Sequence, residues 1–344
     1  MDIIKNLSTF LLPLFVVCIS VDIAYSGSDT RGGTAGATEL LVPVGSQGTA
    51  MSGAVNASVS GVEAIAWNPA GMARIPGSVE LMFSNLNYIG DIKLNYFGVA
   101  ASLGDVGTLG LTARSLSFGD IPVTTTDFPE GTGTTYSPSY ITVGLTFARA
   151  FTDRIYGGAT VKLINESIIR TSATGFAVDI GIQYVSGSSG LKLGVVLKNL
   201  GPKMVFSGQD MESFVEIPGQ EPGARQRSLA VPGQQFDLPS TLEMGLGYDF
   251  EVAEQHKISI AGNFQNSNYG NDEYSIGLEY AWNNMLFLRG GTNRSQNQSD
   301  NIFGPTFGVG VKIPIGTSSV SFDYSYRKTD FFSGSQWITV KAGF

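Results

Sequence analysis

Val320-Ser321-Phe322-Asp323-Tyr324-Ser325-Tyr326-Arg327 is the stretch whose reading decides the fold. Val320, Phe322, Tyr324 and Tyr326 take every second place, with Ser321, Asp323, Ser325 and Arg327 between them. A strand points successive side chains to opposite faces, so one face here is apolar and the other polar. Leu242, Met244, Leu246, Tyr248 and Phe250 repeat the pattern against Thr241, Glu243, Gly245, Gly247 and Asp249. Tyr274, Ile276, Leu278, Tyr280 and Trp282 repeat it against Glu273, Ser275, Gly277, Glu279 and Ala281. A water-soluble sheet would have to bury all these apolar faces. Segments of about nine to twelve residues are long enough for tilted strands to cross a bilayer. The chain stops on an aromatic, Phe344, at the end of such a strand. The expectation is an all-β fold, a transmembrane antiparallel β-barrel.

Outward from these three, about fourteen segments carry the pattern. They are residues 79–88, 92–103, 107–118, 139–149, 154–165, 175–186, 191–200, 241–250, 257–265, 273–282, 286–292, 306–313, 320–327 and 336–344. An even number suits a single-chain barrel with both ends of the chain on one side. The links between them alternate in length from the second onward. Residues 104–106, 150–153, 187–190, 251–256, 283–284 and 314–319 are short links; 119–138, 166–174, 201–240, 266–272, 293–305 and 328–335 are longer. Outer-membrane barrels have short periplasmic turns and longer external loops, whereas a sandwich has no reason to alternate. The first external link, 89–91, is the short exception.

Composition agrees. Only 15% of residues are charged, Gly is abundant at 44 residues, and aromatics make up 11%. That suits a barrel with one face in lipid. Residues 1–26 read as a cleaved secretory signal, with Lys5 in a weak basic region, an apolar run interrupted by Pro13, and Ala24 and Ser26 before the cut. The single cysteine, Cys18, lies in that signal, so the exported chain has no thiol chemistry. Export without a spanning helix leaves the periplasm or the outer membrane, and the alternation selects the outer membrane.

Residues 27–76 differ from the barrel segment, 77–344. Gln47-Gly48-Thr49-Ala50-Met51-Ser52-Gly53-Ala54 is rich in small residues and has no period of two. The chain then reaches Trp67-Asn68-Pro69-Ala70-Gly71-Met72. Such stretches form short, close-packing helices, and Pro69 ends one near Asn68. The segment is too small for a core of its own, so its expected place is the barrel interior, as a plug. A flexible periplasmic leader is the alternative, but it would leave Trp67 and Met72 in water. The longest link, 201–240, carries Met204, Phe206, Met211 and Phe214, which suit a folded lid or a contact surface.

Several functions are excluded by what is missing. Enzymatic barrels usually need a His as base or ligand. The one His, His256, falls in an expected periplasmic turn, so an enzyme is not expected. No His/Cys cluster suits a metal, no motif calls for a cofactor, and no basic patch suggests nucleic acid. Gly308-Val309-Gly310 fits small lumen-facing positions in a strand and not a dinucleotide loop. Lumen-facing Asp179, Glu243, Asp249, Glu279, Asp323, Lys192, Lys198, Arg289 and Lys312 mix both signs. They read as a hydrated or plug-contacting interior, not an ion filter.

One pair can be placed in register. Glu279 shares the polar face of its strand, and Asn283-Asn284 begin a turn. If Met285 completes it, Tyr280 opposes Leu288 in lipid and Glu279 opposes Arg289 in the lumen. A two-residue turn would put Arg289 in lipid, at a cost of about 2–4 kcal/mol near the midplane. The three-residue turn is therefore expected, with a charge pair contributing roughly 0.2–1 kcal/mol and fixing register.

The order of these motifs also carries a resemblance. Gln47 to Ala54, followed by Trp67-Asn68-Pro69-Ala70-Gly71-Met72, resembles the N-terminal region of PorV/PorQ-type outer-membrane proteins. The Asn-Pro-Ala step is similar to the hatch of FadL-type fatty-acid channels. Lys198-Asn199-Leu200-Gly201, Leu238-Pro239, Gly277-Leu278-Glu279-Tyr280 and Leu288-Arg289-Gly290-Gly291 extend the likeness along nearly the whole exported chain. Ser60-Gly61-Val62-Glu63-Ala64 departs from it, since the family often carries more acids there. The resemblance implies a fourteen-stranded barrel in outer-membrane lipid, with an N-terminal plug. PorV-like members imply partners among secreted proteins or secretion-machinery components, held at external loops in type IX secretion. FadL-like members imply hydrophobic small molecules as substrates. The first is the primary expectation and the second its alternative.

Overall fold

The computed structural model describes residues 34–90, 92–187, 189–215, 227–295, 303–330 and 332–344. The signal expected over residues 1–26 lies outside them.

Strand alternation is realised as one antiparallel sheet closed on itself. Its strands are β1 (Val79–Asn87), β2 (Lys93–Ser102), β3 (Thr108–Ser117), β4 (Ser139–Ala150), β5 (Ile155–Ile168), β6 (Thr171–Val185) and β7 (Leu191–Leu200). They continue as β8 (Thr241–Ala253), β9 (His256–Ser267), β10 (Glu273–Trp282), β11 (Leu286–Ser295), β12 (Phe303–Ile315), β13 (Ser318–Thr329) and β14 (Ser335–Gly343). The sheet holds fifteen pieces, but one is the two-residue Ser207–Gly208, so the barrel itself has fourteen strands. Each pairs with its sequence neighbour. β14 then pairs with β1, Phe83 opposite Val340, and closes the ring. Closure pairs every strand on both sides, apart from the end of β6 that continues past β7.

The two faces separate as the sequence demands. Leu145, Leu163, Ile180, Ile276, Leu288 and Phe307 point outward and are exposed. Their neighbours Thr146, Lys162, Asp179, Gly277, Arg289 and Gly308 point inward. An apolar exterior of this extent belongs in lipid, and the architecture is that of an outer-membrane barrel.

The strands run further than expected at one end. Residues 166–174 were expected as a long link. Instead β5 and β6 extend to a two-residue turn, Ile169 and Arg170, with Ile169 at φ 53°. Polar residues such as Glu166 hid this extension, because they face inward and not into solvent. His256 also departs from expectation. It begins β9 and its Nδ1 lies 2.7 Å from the Tyr280 hydroxyl, so it belongs to the wall and not to a free turn.

β7 is short. It ends at Leu200 opposite Val178, while β6 continues past it to Thr171. At the point of departure Asn199 adopts φ 57°, and its N–H donates to the Asp179 carboxylate at 2.8 Å. The returning link covers the gap above. Ser207–Gly208 pairs with Ser172 and Thr171, and Met204 exchanges backbone hydrogen bonds of 3.0 and 2.9 Å with Phe236.

Candidate functional site

The lumen has two unlike halves. The half at the short-turn end is filled by the chain between Gly45 and Arg74. It docks where the barrel wall has no side chains. A Cβ on Gly158 would meet the Pro69 backbone, one on Gly181 the Asn68 side chain, and one on Gly110 the Met72 sulfur. Gly277 and Gly291 likewise receive Met51, and Gly308 receives Ala50. These inward glycines let a second layer of backbone lie against the strands, which any larger residue would push away.

Polar groups complete the docking. Ala64–Trp67 forms a short helix, and Pro69 opens the 3-10 turn Pro69–Arg74. Asn68 joins the two. Its side chain accepts from the Ala70 N–H and donates to the Asn56 carbonyl at 2.9 Å and the Ile182 carbonyl at 3.2 Å. Trp67 donates its indole N–H to the Val44 carbonyl at 2.9 Å, with Gly48 beneath the ring. Ala70, Gly71 and Met72 are buried against the wall. Gln183 on β6 donates to the Asn56 and Val59 carbonyls at 2.8 and 3.1 Å, and accepts from Arg74 at 2.9 Å.

A charge network ties this segment to the barrel. The β10–β11 turn uses Asn283, Asn284 and Met285, with both asparagines at φ 52°, and Glu279 stands opposite Arg289. Arg289 Nε donates to Glu279 at 2.7 Å and Nη1 to Asp323 at 2.6 Å. Lys341 lies 3.7 Å from Asp323 and donates to Glu63 at 2.8 Å. Glu63, wholly buried, also accepts from the Gly48 N–H at 3.1 Å. The Glu279–Arg289 pair thus belongs to a five-member chain that ends on the inner segment. The sequence gives no spacing for Glu63, Asp323 and Lys341. Only their inward phase on the strands and the acid between Gly61 and Ala64 signalled them.

The other half of the lumen is open. A cavity of about 550 Å³ lies there, floored by Ile65, Ala66 and Trp67 and roofed in part by the strap of residues 38–44. Tyr88, Phe118, Tyr140, Tyr269 and Phe303, near the long-link ends of strands, line it, so this is the external half. The strap packs on a cluster of Tyr88, Ile92, Tyr96, Leu116, Phe118 and Tyr140. Arg114 holds it, donating to the Glu39 carbonyl and to the Val42 carbonyl at 2.8 Å. Trp337 donates to the Pro43 carbonyl at 3.0 Å. The Glu39 carboxyl is buried beside that of Glu166, and burial pushes it above the usual range.

The expected loop contacts need correction. Met204 is 1% exposed and packs with Ile164, Ala173, Ala177 and Leu238, plugging the gap above β7. It is not a contact surface. Phe206 is half-buried against Phe236, with ring centroids 5.7 Å apart. Met211 ends a short turn at the foot of a hairpin, in which the Phe214 backbone pairs with Ser228. The link is pinned to the β5–β6 turn by Arg170, whose Nε donates to Asp210 at 2.9 Å. Of the two expectations for this link, Met204 follows the folded lid and not the contact surface, and burial in the barrel's own wall gap leaves no periodic signal to tell them apart.

No protein-family model and no curated protein sequence matches the chain. Solved structures do. The TodX deltaS2S3 mutant, a monoaromatic hydrocarbon channel, is 14% identical with a TM-score of 0.55, covering 87% of this chain and 97% of that one. The Ralstonia pickettii toluene transporter TbuX is 14% identical with a TM-score of 0.51, covering 87% and 96%. A Pseudomonas aeruginosa FadL homologue is 11% identical with a TM-score of 0.52, covering 88% and 98%. At such identities the likeness concerns the fold, and the fold is that of the FadL-type outer-membrane barrels.

Proposed function

We propose that this protein sits in the outer membrane and admits small hydrophobic or amphipathic molecules through its lumen, residues 27–76 acting as the plug. The observation that carries this reading is the cavity in the external half, with an apolar floor and strap, above a segment held by many polar contacts. Proteins of the same fold include toluene transporters and hydrocarbon channels, which supports it. The plug docks by short-range contacts on glycines, so a modest shift of the strap would open a path beside it without unfolding the barrel.

The carrier of secreted proteins finds less support. It needs a free apolar grip on the long link, and Met204 and Phe206 are turned into the wall. Val205, Leu229 and Val231 remain exposed there, so a cargo surface would rest on them. Uptake decides between the two. Cells whose own hydrophobic-molecule channels are deleted should take up labelled toluene or a labelled short-chain alkyl glucoside faster when they express this chain. Ala66→Trp, which fills the cavity floor, should abolish the gain. Equal uptake with and without the protein would refute the channel.

A further inference from the structure

The cavity wall is divided around the ring. Strands β1 to β4 and their links supply Tyr88, Ile92, Tyr96, Leu116, Phe118 and Tyr140, with only Thr112, Arg114 and Thr142 polar among them. Facing them, β5 to β11 and their links supply polar and charged side chains such as Lys162, Asp179, Lys198, Glu243 and Gln265, with Tyr269 the one aromatic and no aliphatic side chain. The strap leans on the apolar arc through Val42 and Val44, and Leu40 packs on the cluster of Ile164, Ala173 and Met204. A hydrocarbon would satisfy half of this wall and strip water from the other half with nothing in return, which is unfavourable for each polar group left unpaired.

The charges of the cavity also cancel. Four acids, Glu39, Asp179, Glu243 and Glu273, line it with four bases, Arg114, Lys162, Lys198 and Arg327. On the polar arc Lys162 lies 2.7 Å from Asp179 and Lys198 2.9 Å from Glu243, so those charges serve each other. Thr241 donates to Glu243 at 3.3 Å and Gln265 to Ser267 at 3.4 Å, so what the arc offers a ligand beyond these bonds is the amide oxygen of Gln265 and hydroxyl groups such as that of Ser275.

We infer that the preferred ligand is a neutral amphiphile: a short apolar body for the strap side and a hydroxyl- or amide-rich head for the arc of β5 to β11. The inference rests on the channel reading above and narrows its substrate class. A free carboxylate or ammonium head meets no net opposite field here. A pure hydrocarbon leaves the polar arc unused. A polyhydroxyl head replaces the water of that arc bond for bond.

The test uses the full barrel in lipid nanodiscs, free of competing detergent, and calorimetry with three probes of one chain length. Hexyl glucoside should bind at least tenfold tighter than hexanoate or hexane. Gln265→Leu combined with Ser275→Ala should weaken hexyl glucoside about tenfold and leave hexane unchanged. Phe118→Ser should weaken hexyl glucoside and hexane alike. Hexanoate or hexane binding as tightly as the glucoside would overturn the inference and leave the channel reading standing. Glucoside binding unmoved by the double variant would also overturn it, provided heat-modifiable migration shows that variant folded. No binding by any probe would overturn both.

Discussion

The two halves of the lumen are built from the same strands and behave as different materials. The short-turn half is a joint. Backbone lies on glycine, the Arg289 and Asp323 side chains are each 3% exposed, and charges hand over from the wall to the inner segment through Lys341. The external half is a chamber. Its strap is held mainly by side chains that donate to backbone carbonyls, and its walls leave open volume. Alternation makes every inward position available, and residue size then decides. Small residues admit the segment of residues 45–74, whereas longer side chains such as Arg114 and Trp337 reach across to hold the strap.

The largest effect should come from Arg289→Met. It strands Glu279 and leaves Asp323 only Lys341, 3.7 Å away, in a nearly dry site, and removal of one partner of such a network costs roughly 3–5 kcal/mol. Urea unfolding in lipid should show it. A loss below about 1 kcal/mol would mean that water already screens the network.

Gly158→Val comes next. Its side chain meets the Pro69 backbone, which cannot turn away. Overpacking of this kind costs about 1–3 kcal/mol. Limited proteolysis should cut near Trp67 to Met72 while the barrel stays heat-modifiable. Gly270→Ala, with nothing within 4 Å, is the control and should leave the segment protected. Protection of Trp67 in the Gly158 variant would show that the joint is looser than its contacts imply.

The chamber should answer differently. Leu41 lines open space, so Leu41→Ala creates little new cavity and should cost about 1 kcal/mol or less. Its effect belongs in toluene uptake, which should change severalfold. A large stability loss with unchanged uptake would erase the distinction between the halves.

The smallest effect concerns pH. Burial raises the Glu39 carboxyl, so the docked strap binds a proton more readily than the free one. Docking is then strongest below the ordinary glutamate value of about 4.3 and weakens as pH rises through the raised one. Glu39→Gln should flatten this dependence. Hydrogen exchange at residues 38–44, followed across pH, measures it. A wild-type strap whose protection grows with pH would reverse the sign.

Much of this was legible without coordinates. Alternation in Val320 to Arg327 and its repeats requires one lipid face and one lumen face, and the cost of Arg289 in lipid selects the three-residue turn. These are local consequences of a period of two. The tertiary structure decided what no period records. Glu63 meets Lys341 across 278 positions, and Trp337 reaches Pro43 across 294. Met204 disappears into a gap that exists only because β7 stops short of β6. The division of the cavity into an apolar and a polar arc likewise depends on which strands face each other once the ring closes. Side-chain phase is written along each strand. Which inward residues share one space depends on closure, on strand length and on the path of the segment that enters the barrel.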